Sequence, residues 1–157
     1  MERAWQVAHV CFAVNDLEGA VERYSVLFGA RWTPIVQVDD EWVAPLSREG
    51  LERVRGRGIW ALDPSPPVEL FEGAEGSPWF VPPSGDRLDH VAYWAEDLDR
   101  QAQLLQQTGY RLEYTMPPFD DGHLRGFGYL VHAGGARIEL QPATDKAAME
   151  QWMAGVP

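Results

Sequence analysis

Two histidines and two glutamates recur at matching places along the chain. VAHVCFAVNDLEGA (Val7 to Ala20) can be laid over LDHVAYWAEDLDRQ (Leu88 to Gln101), which sets His9 over His90 and Asp16 over Asp97. Further on, GIWALDPSPPVEL (Gly58 to Leu70) lies over GYLVHAGGARIEL (Gly128 to Leu140), which sets Glu69 over Glu139. Two imidazoles and two carboxylates suit a divalent first-row metal such as Zn, Ni, Co, Mn or Fe. Four protein donors in an octahedral site leave two positions for water or substrate oxygens. Catalysis needs such open positions, and a closed tetrahedral site has none.

The elements that must position these groups also repeat. Each unit opens on a short strand and continues into a helix. Asp16 is placed to cap a helix whose apolar positions are Leu17, Ala20, Val21, Tyr24, Leu27 and Phe28, with Gly29 placed to end it. The second copy runs from Asp97 through Leu98, Ala102 and Leu105 to Gly109. Apolar segments broken by Pro and Gly then read as strands: ARWTPIVQV, GIWAL and PVELF in the first unit, RLEYT, GYLV and RIEL in the second. The expected fold is α+β, a single domain of two tandem βαβββ modules over 5–72 and 86–142. A Gly/Pro/Ser-rich linker spans 73–85 and a C-terminal tail spans 143–157. The tail can form a short helix with Met149, Trp152 and Met153 on one face, packing on the sheet or on a partner subunit.

Strand side chains alternate between faces. Val10, Phe12 and Val14 suit the helix side of the first strand, which leaves His9, Cys11 and Ala13 on the other face. Val91 and Tyr93 likewise leave His90, Ala92 and Trp94 facing away from the helix, and Glu69 and Glu139 lie between apolar neighbours that face it. All four polar groups thus share the helix-free face. If the modules pack with sheets side by side, that face curls into a trough and His9, Glu69, His90 and Glu139 converge on one cation. The alternative is an empty or ligand-binding trough in which the residues are relics of duplication. Trp60, Phe71 and Trp94 share the inward face, either as walls of an apolar substrate pocket or as core. His123 and Arg125 lie in PPFDDGHLRGFGYL, a loop that either arches over the trough to meet substrate or is simply solvated.

At 157 residues and 45% apolar composition the chain can bury a core of its own, which excludes disorder and coiled coil. A formal net charge of −11 disfavours nucleic acid and anionic membrane surfaces as partners. The arginines at 48, 53, 55 and 57 have acidic neighbours and read as surface pairs. No apolar run approaches a membrane span and MERAWQ lacks signal-peptide character, so a cytoplasmic location is expected. The lone Cys11 fits a reducing setting and reads as a buried packing residue. Phosphate-binding, dinucleotide, nucleophile-elbow, HExxH and CxxC motifs are all missing.

Paired units with DHV-type first strands, a DL helix start and IEL-type last strands resemble the vicinal oxygen chelate superfamily. That group includes glyoxalase I, methylmalonyl-CoA epimerase, extradiol dioxygenases and bleomycin-resistance proteins. AHVCFAVNDLEGAVERYSVLFG, LDHVAYWAEDLD and GARIELQP carry the likeness, which runs from about Trp5 to Pro142. It implies metal ligands at His9, Glu69, His90 and Glu139, a set similar to bacterial glyoxalase I and to the epimerase, whose position matching Glu69 is often Gln. It also implies a homodimer and a small-molecule substrate. The expected activity is that of a metal-dependent isomerase, epimerase or lyase that transfers a proton next to a carbonyl through a metal-chelated enolate, with Glu139 or Glu69 as base. Two other activities compete. One is an extradiol-type Fe(II) dioxygenase using His9, His90 and Glu139. The other is a metal-free binding protein of the bleomycin-resistance type.

Overall fold

The computed structural model describes residues 5–29, 31–83 and 85–156. Met1 to Ala4 of the N-terminal segment, Ala30 of the ARWTPIVQV segment, Ser84 of the joint and Pro157 of the tail lie outside the described residues. The element order is β1 (Gln6–Ala13), α1 (Leu17–Phe28), β2 (Val36–Val43), β3 (Leu51–Ala61), β4 (Val68–Gly73), β5 (Arg87–Ala95), α2 (Leu98–Gln106), β6 (Tyr110–Thr115), β7 (Gly128–His132) and β8 (Arg137–Pro142). A 3-10 turn (Ala143–Asp145) and α3 (Lys146–Ala154) complete it. The fold is therefore mixed α+β and reads βαβββ twice, as the repeats in the sequence require. The hydrogen-bonded strand runs are β1-β4-β3 and β6-β7-β8-β5. None of the described helices is long and apolar enough to cross a membrane.

Both long helices start where the sequence places a cap. The Asp16 side chain accepts the Gly19 amide at 3.1 Å, and the Asp97 side chain accepts the Arg100 amide at 3.0 Å. Gly29, at φ 84°, ends α1 in a conformation that side chains with a Cβ rarely adopt. By contacts the chain forms two compact units. One comprises the residues up to Ala8, Glu41–Arg53 and His90–Ala147; the other comprises His9–Asp40, Val54–Asp89 and the residues from Ala148 on. Strands β1, β2, β3 and β5 each run through both. In the unit containing α1, Val14, Leu17, Ala20, Ile59 and Leu70 form the core, with Phe12, Val21, Tyr24 and Trp32 against it. In the unit containing α2, the corresponding core is Ala95, Ala102, Leu112, Leu130 and Leu140. Each of these cores lies on the helix side of its sheet, and Phe12, Val14, Leu70, Tyr93, Ile138 and Leu140 of the sequence pattern end there. The alternate residues remain for the other face.

Several boundaries differ from the sequence reading. The second strand is Val36–Val43 rather than ARWTPIVQV, and Trp32 makes only an isolated bridge to Ala61. Its polar DDEWV run lacks the alternation that marks a half-buried strand, yet it pairs at Val43 with Thr115. The third strand begins at Leu51, ahead of the GIWAL segment, so Arg53, Arg55 and Arg57 lie within β3. The second helix ends at Gln106, short of Gly109. Between β4 and β5, Trp79 is 2% exposed and its ring lies edge-on to Phe71, centroids 5.8 Å apart.

Candidate metal centre

In the α1 unit, β1 and β4 run parallel with Cys11 opposite Glu69, which puts His9, two residues before Cys11, on the face that Glu69 occupies. His9 Nε2 stands 3.2 Å from Glu69 Oε2. In the α2 unit, β5 and β8 run parallel with Ala92 opposite Glu139, and His90 Nε2 stands 3.1 Å from Glu139 Oε2. The register is the same in both: the carboxylate faces the residue two beyond the histidine. Small residues, Cys11 and Ala92, fill the intervening positions and are fully buried.

The four groups are 1% (His9), 7% (Glu69), 2% (His90) and 4% (Glu139) exposed. Carboxylates this deeply buried need a positive partner, because desolvating an unpaired charge is costly. In each unit an imidazole and a carboxylate form one close pair, His9 with Glu69 and His90 with Glu139. The donor types and their burial fit a divalent first-row cation, which imidazole nitrogen and carboxylate oxygen suit.

The flanking residues are less alike. Trp60 lies opposite Glu69 on β3, and its ring meets His9 edge-on with centroids 6.5 Å apart. Tyr129 lies opposite Glu139 on β7 and meets His90 edge-on at 5.1 Å. Two residues beyond Glu69, Phe71 is buried against Trp79; two residues beyond Glu139, Gln141 donates from Nε2 to Glu139 Oε1 at 3.1 Å. Gly58 is needed for close approach, since a Cβ there would lie 3.2 Å from Glu69 Oε1 and 3.3 Å from the Phe71 ring. Tyr129 belongs to an aromatic group with Trp42, Phe127 and Tyr114. The Tyr114 hydroxyl donates to Glu52 at 2.5 Å; burial above all, and then this carboxylate, push its pKa well up.

Trp94 is half-buried opposite Gln141 on β5. His123 and Arg125 are each engaged by an acidic side chain. His123 Nδ1 lies 2.6 Å from Asp99 Oδ2 on α2, and Arg125 pairs with Asp121 at 2.6 Å. The arginines of β3 are likewise paired: Arg55 with Asp39, and Arg57 with Glu18 and Glu72. A cleft of about 440 Å³ beside them includes none of the four buried His and Glu residues. Gln141, Tyr129 and Gly58 escaped the sequence reading. Gln141 was within reach, because it shares strand parity with Glu139 in RIELQP.

Duplicated βαβββ runs with an imidazole–carboxylate pair at the same register in each define a class built to present polar ligands on the helix-free face of its sheet. The family model described as Glyoxalase/Bleomycin resistance protein/Dioxygenase superfamily matches residues 8–129, and the chain belongs to that family. A methylmalonyl-CoA epimerase from Mycobacterium tuberculosis is similar in structure, with TM-score 0.53, 26% identity and 91% of each chain covered. A selenomethionine methylmalonyl-CoA epimerase gives 0.53 at 20% identity, over 90% of this chain and 98% of that one. A mutant 4-hydroxymandelate synthase from Streptomyces coelicolor gives 0.51 at 16%, over 88% of this chain and 37% of that one. The last two likenesses are of fold alone. No curated protein matches the chain.

Proposed function

We propose that this protein is a divalent-metal-dependent isomerase or epimerase that moves a proton on the carbon beside a carbonyl of a small-molecule substrate. The observation that carries this reading is the identical register of two buried imidazole–carboxylate pairs, Cys11 opposite Glu69 and Ala92 opposite Glu139. The methylmalonyl-CoA epimerase at 26% identity supports the reaction class and points to an acyl thioester as the first substrate to test. His9, Glu69, His90 and Glu139 are the residues to hold the cation. When bound, it supplies the positive charge that favours ionising a carbon acid.

The remaining chemistry belongs to the chain. Glu139 is the better-placed base, because the Gln141 amide fixes Oε1 and so sets the direction of the carboxylate. In an epimerisation Glu139 takes the proton from one face of the carbon and a second acid, the Glu69 carboxyl, gives one to the opposite face; in an isomerisation Glu139 returns the proton to a neighbouring carbon. Glu69 is the second carboxylate, held beside the Trp60 ring. Burial of all four groups excludes water and strengthens their electrostatic effect on the reacting carbon.

The test is deuterium incorporation into methylmalonyl-CoA in D2O, followed by NMR, on protein purified without a histidine tag. Exchange is expected to stop after chelation and to return with added Co²⁺ or Mn²⁺. Undiminished exchange by metal-free protein would refute the reading. The side-chain types favour a second activity: His9, His90 and Glu139 have the two-imidazole, one-carboxylate composition of Fe(II) oxygenase sites. Fe(II)-dependent oxygen uptake with a catechol, and no carbon-proton exchange, would establish that alternative.

A further inference from the structure

The site as described uses imidazoles and carboxylates, yet one further polar atom beside it has no function so far. The indole Nε1 of Trp60 is buried and has no hydrogen-bond partner among the described residues. Buried donors are almost always satisfied, and leaving one without an acceptor forfeits the hydrogen bond it would make with water. The backbone N–H of the same residue is satisfied by the Thr33 hydroxyl at 3.0 Å, so the deficit is confined to the side chain.

Its surroundings show what kind of acceptor is missing. Trp60 shares its strand position with Glu69 across the β3–β4 ladder and meets His9 edge-on. On its other side it meets Trp152 of α3, centroids 5.7 Å apart at 85°. No residue of α3 is buried, and Trp152 is 40% exposed, so this edge of the site is covered by a ring that itself faces solvent. Gly58 packs closely at this corner: a Cβ there would lie 3.2 Å from Glu69 Oε1 and 3.4 Å from the Trp60 ring.

Resting on the reading of His9 and Glu69 as part of the substrate site, we infer that the Trp60 indole N–H is a substrate-binding donor. It selects a carboxylate or carbonyl oxygen on the molecule bound next to the His9–Glu69 pair. Trp60 is a specificity-determining residue in this role, and Trp152 flanks the same substrate group. The bound oxygen replaces the missing acceptor, so the cost of the unpaired donor is recovered only when ligand is present.

Oxalate, a small anion with oxygens on adjacent carbons, is the probe. In ¹H–¹⁵N spectra the chain shows indole signals from seven tryptophans, and the Trp60→Phe variant identifies which belongs to Trp60. Adding oxalate is expected to move the Trp60 indole proton downfield by more than any other indole. Trp60→Phe keeps the ring and loses the donor, and is expected to weaken oxalate binding about tenfold by calorimetry, in line with a charge-assisted hydrogen bond. Mn²⁺ affinity, followed separately by electron paramagnetic resonance, should change less than twofold in that variant.

A static Trp60 indole signal on oxalate saturation, or equal oxalate affinity of Trp60→Phe and the parent protein, overturns the inference. If Trp60→Phe does not fold, the oxalate-induced shift of the parent protein decides by itself, with assignment from Trp152→Phe and the remaining indole variants. Both titrations are run with and without Mn²⁺. Failure of Mn²⁺ to bind refutes the metal reading, whereas the indole shift still supports or overturns the donor role.

Discussion

The His9–Glu69 and His90–Glu139 pairs are held at nearly equal separations, 3.2 and 3.1 Å, by the same strand register. Around them the two halves diverge position by position. An aromatic ring crosses each histidine edge-on, but it is an indole with an unpaired buried N–H at Trp60 and a phenol at Tyr129. The residue two beyond the carboxylate is an aromatic ring at Phe71 and an amide at Gln141. The repeat keeps the imidazole–carboxylate positions, which depend on backbone register. It has not preserved their neighbours, which decide what each carboxylate can do. One carboxylate is oriented by a hydrogen bond from its own strand; the other is walled by rings.

The strongest test of the equivalence of the two pairs is to remove one imidazole at a time. His9→Ala and His90→Ala are each expected to lower Mn²⁺ affinity by at least about 100-fold, since even residues that only orient a metal ligand are worth 10–100-fold. Circular dichroism checks that both variants keep their fold. A large loss for one and none for the other would show that a single half holds the cation.

The amide-for-ring difference at Gln141 and Phe71 gives a finer test. Gln141→Phe copies the first half into the second and removes the hydrogen bond to Glu139 Oε1. It is expected to reduce the rate of carbon-proton exchange about tenfold, the scale of a positioning residue, with Mn²⁺ affinity falling less. Gln141→Glu restores a hydrogen-bonding side chain only when protonated, so its exchange rate should recover as pH falls. Equal rates for Gln141→Phe and the parent protein at every pH would remove Gln141 from the orientation of the base.

These contrasts also mark what was legible in the sequence. His9, Glu69, His90 and Glu139 were placed on the helix-free face by strand parity alone, because alternation is a local property of extended backbone. Both helix starts were legible because Asp16 and Asp97 act within three residues. Less was visible where tertiary contacts override local pattern. The polar β2 run carries no alternation, and Trp79 in a Pro/Gly-rich joint becomes one of the most buried side chains by packing on Phe71. The unpaired Trp60 N–H had no signal in the sequence, since satisfaction of a donor depends on which atoms arrive from elsewhere in the chain. His123 and Arg125 were placed in one loop, and their partners Asp99 and Asp121 follow only from coordinates.

The smallest expected effect compares the first turns of the two helices, where Glu18 and Asp99 occupy matching positions. Glu18 pairs with Arg57, whose hydrogen bond holds its carboxyl below the usual range, and arginine does not titrate near neutrality. Asp99 instead meets His123 and accepts the Leu124 amide at 2.8 Å. Burial pushes Asp99 upward, but the Leu124 amide and His123 outweigh it and hold its pKa down, while the Asp99 hydrogen bond raises that of His123. Nearby Asp121 adds to the rise and Arg125 opposes it. A raised histidine pKa gives a contribution fully present below its unfolded value of about 6.5, and lost as pH rises through the folded value. The lowered Asp99 pKa gives one present above about 3.9, and lost as pH falls through the folded value. Attachment of the His123 loop to α2 is therefore tightest between about pH 4 and 6.5 and loosens above neutrality. Hydrogen exchange, corrected for its intrinsic pH dependence, should show Leu124 protection declining from pH 6 to pH 8. In the His123→Ala variant that decline should vanish, while the Glu18–Arg57 contact shows none in either protein. Leu124 protection that is independent of pH in the parent protein would sink this asymmetry.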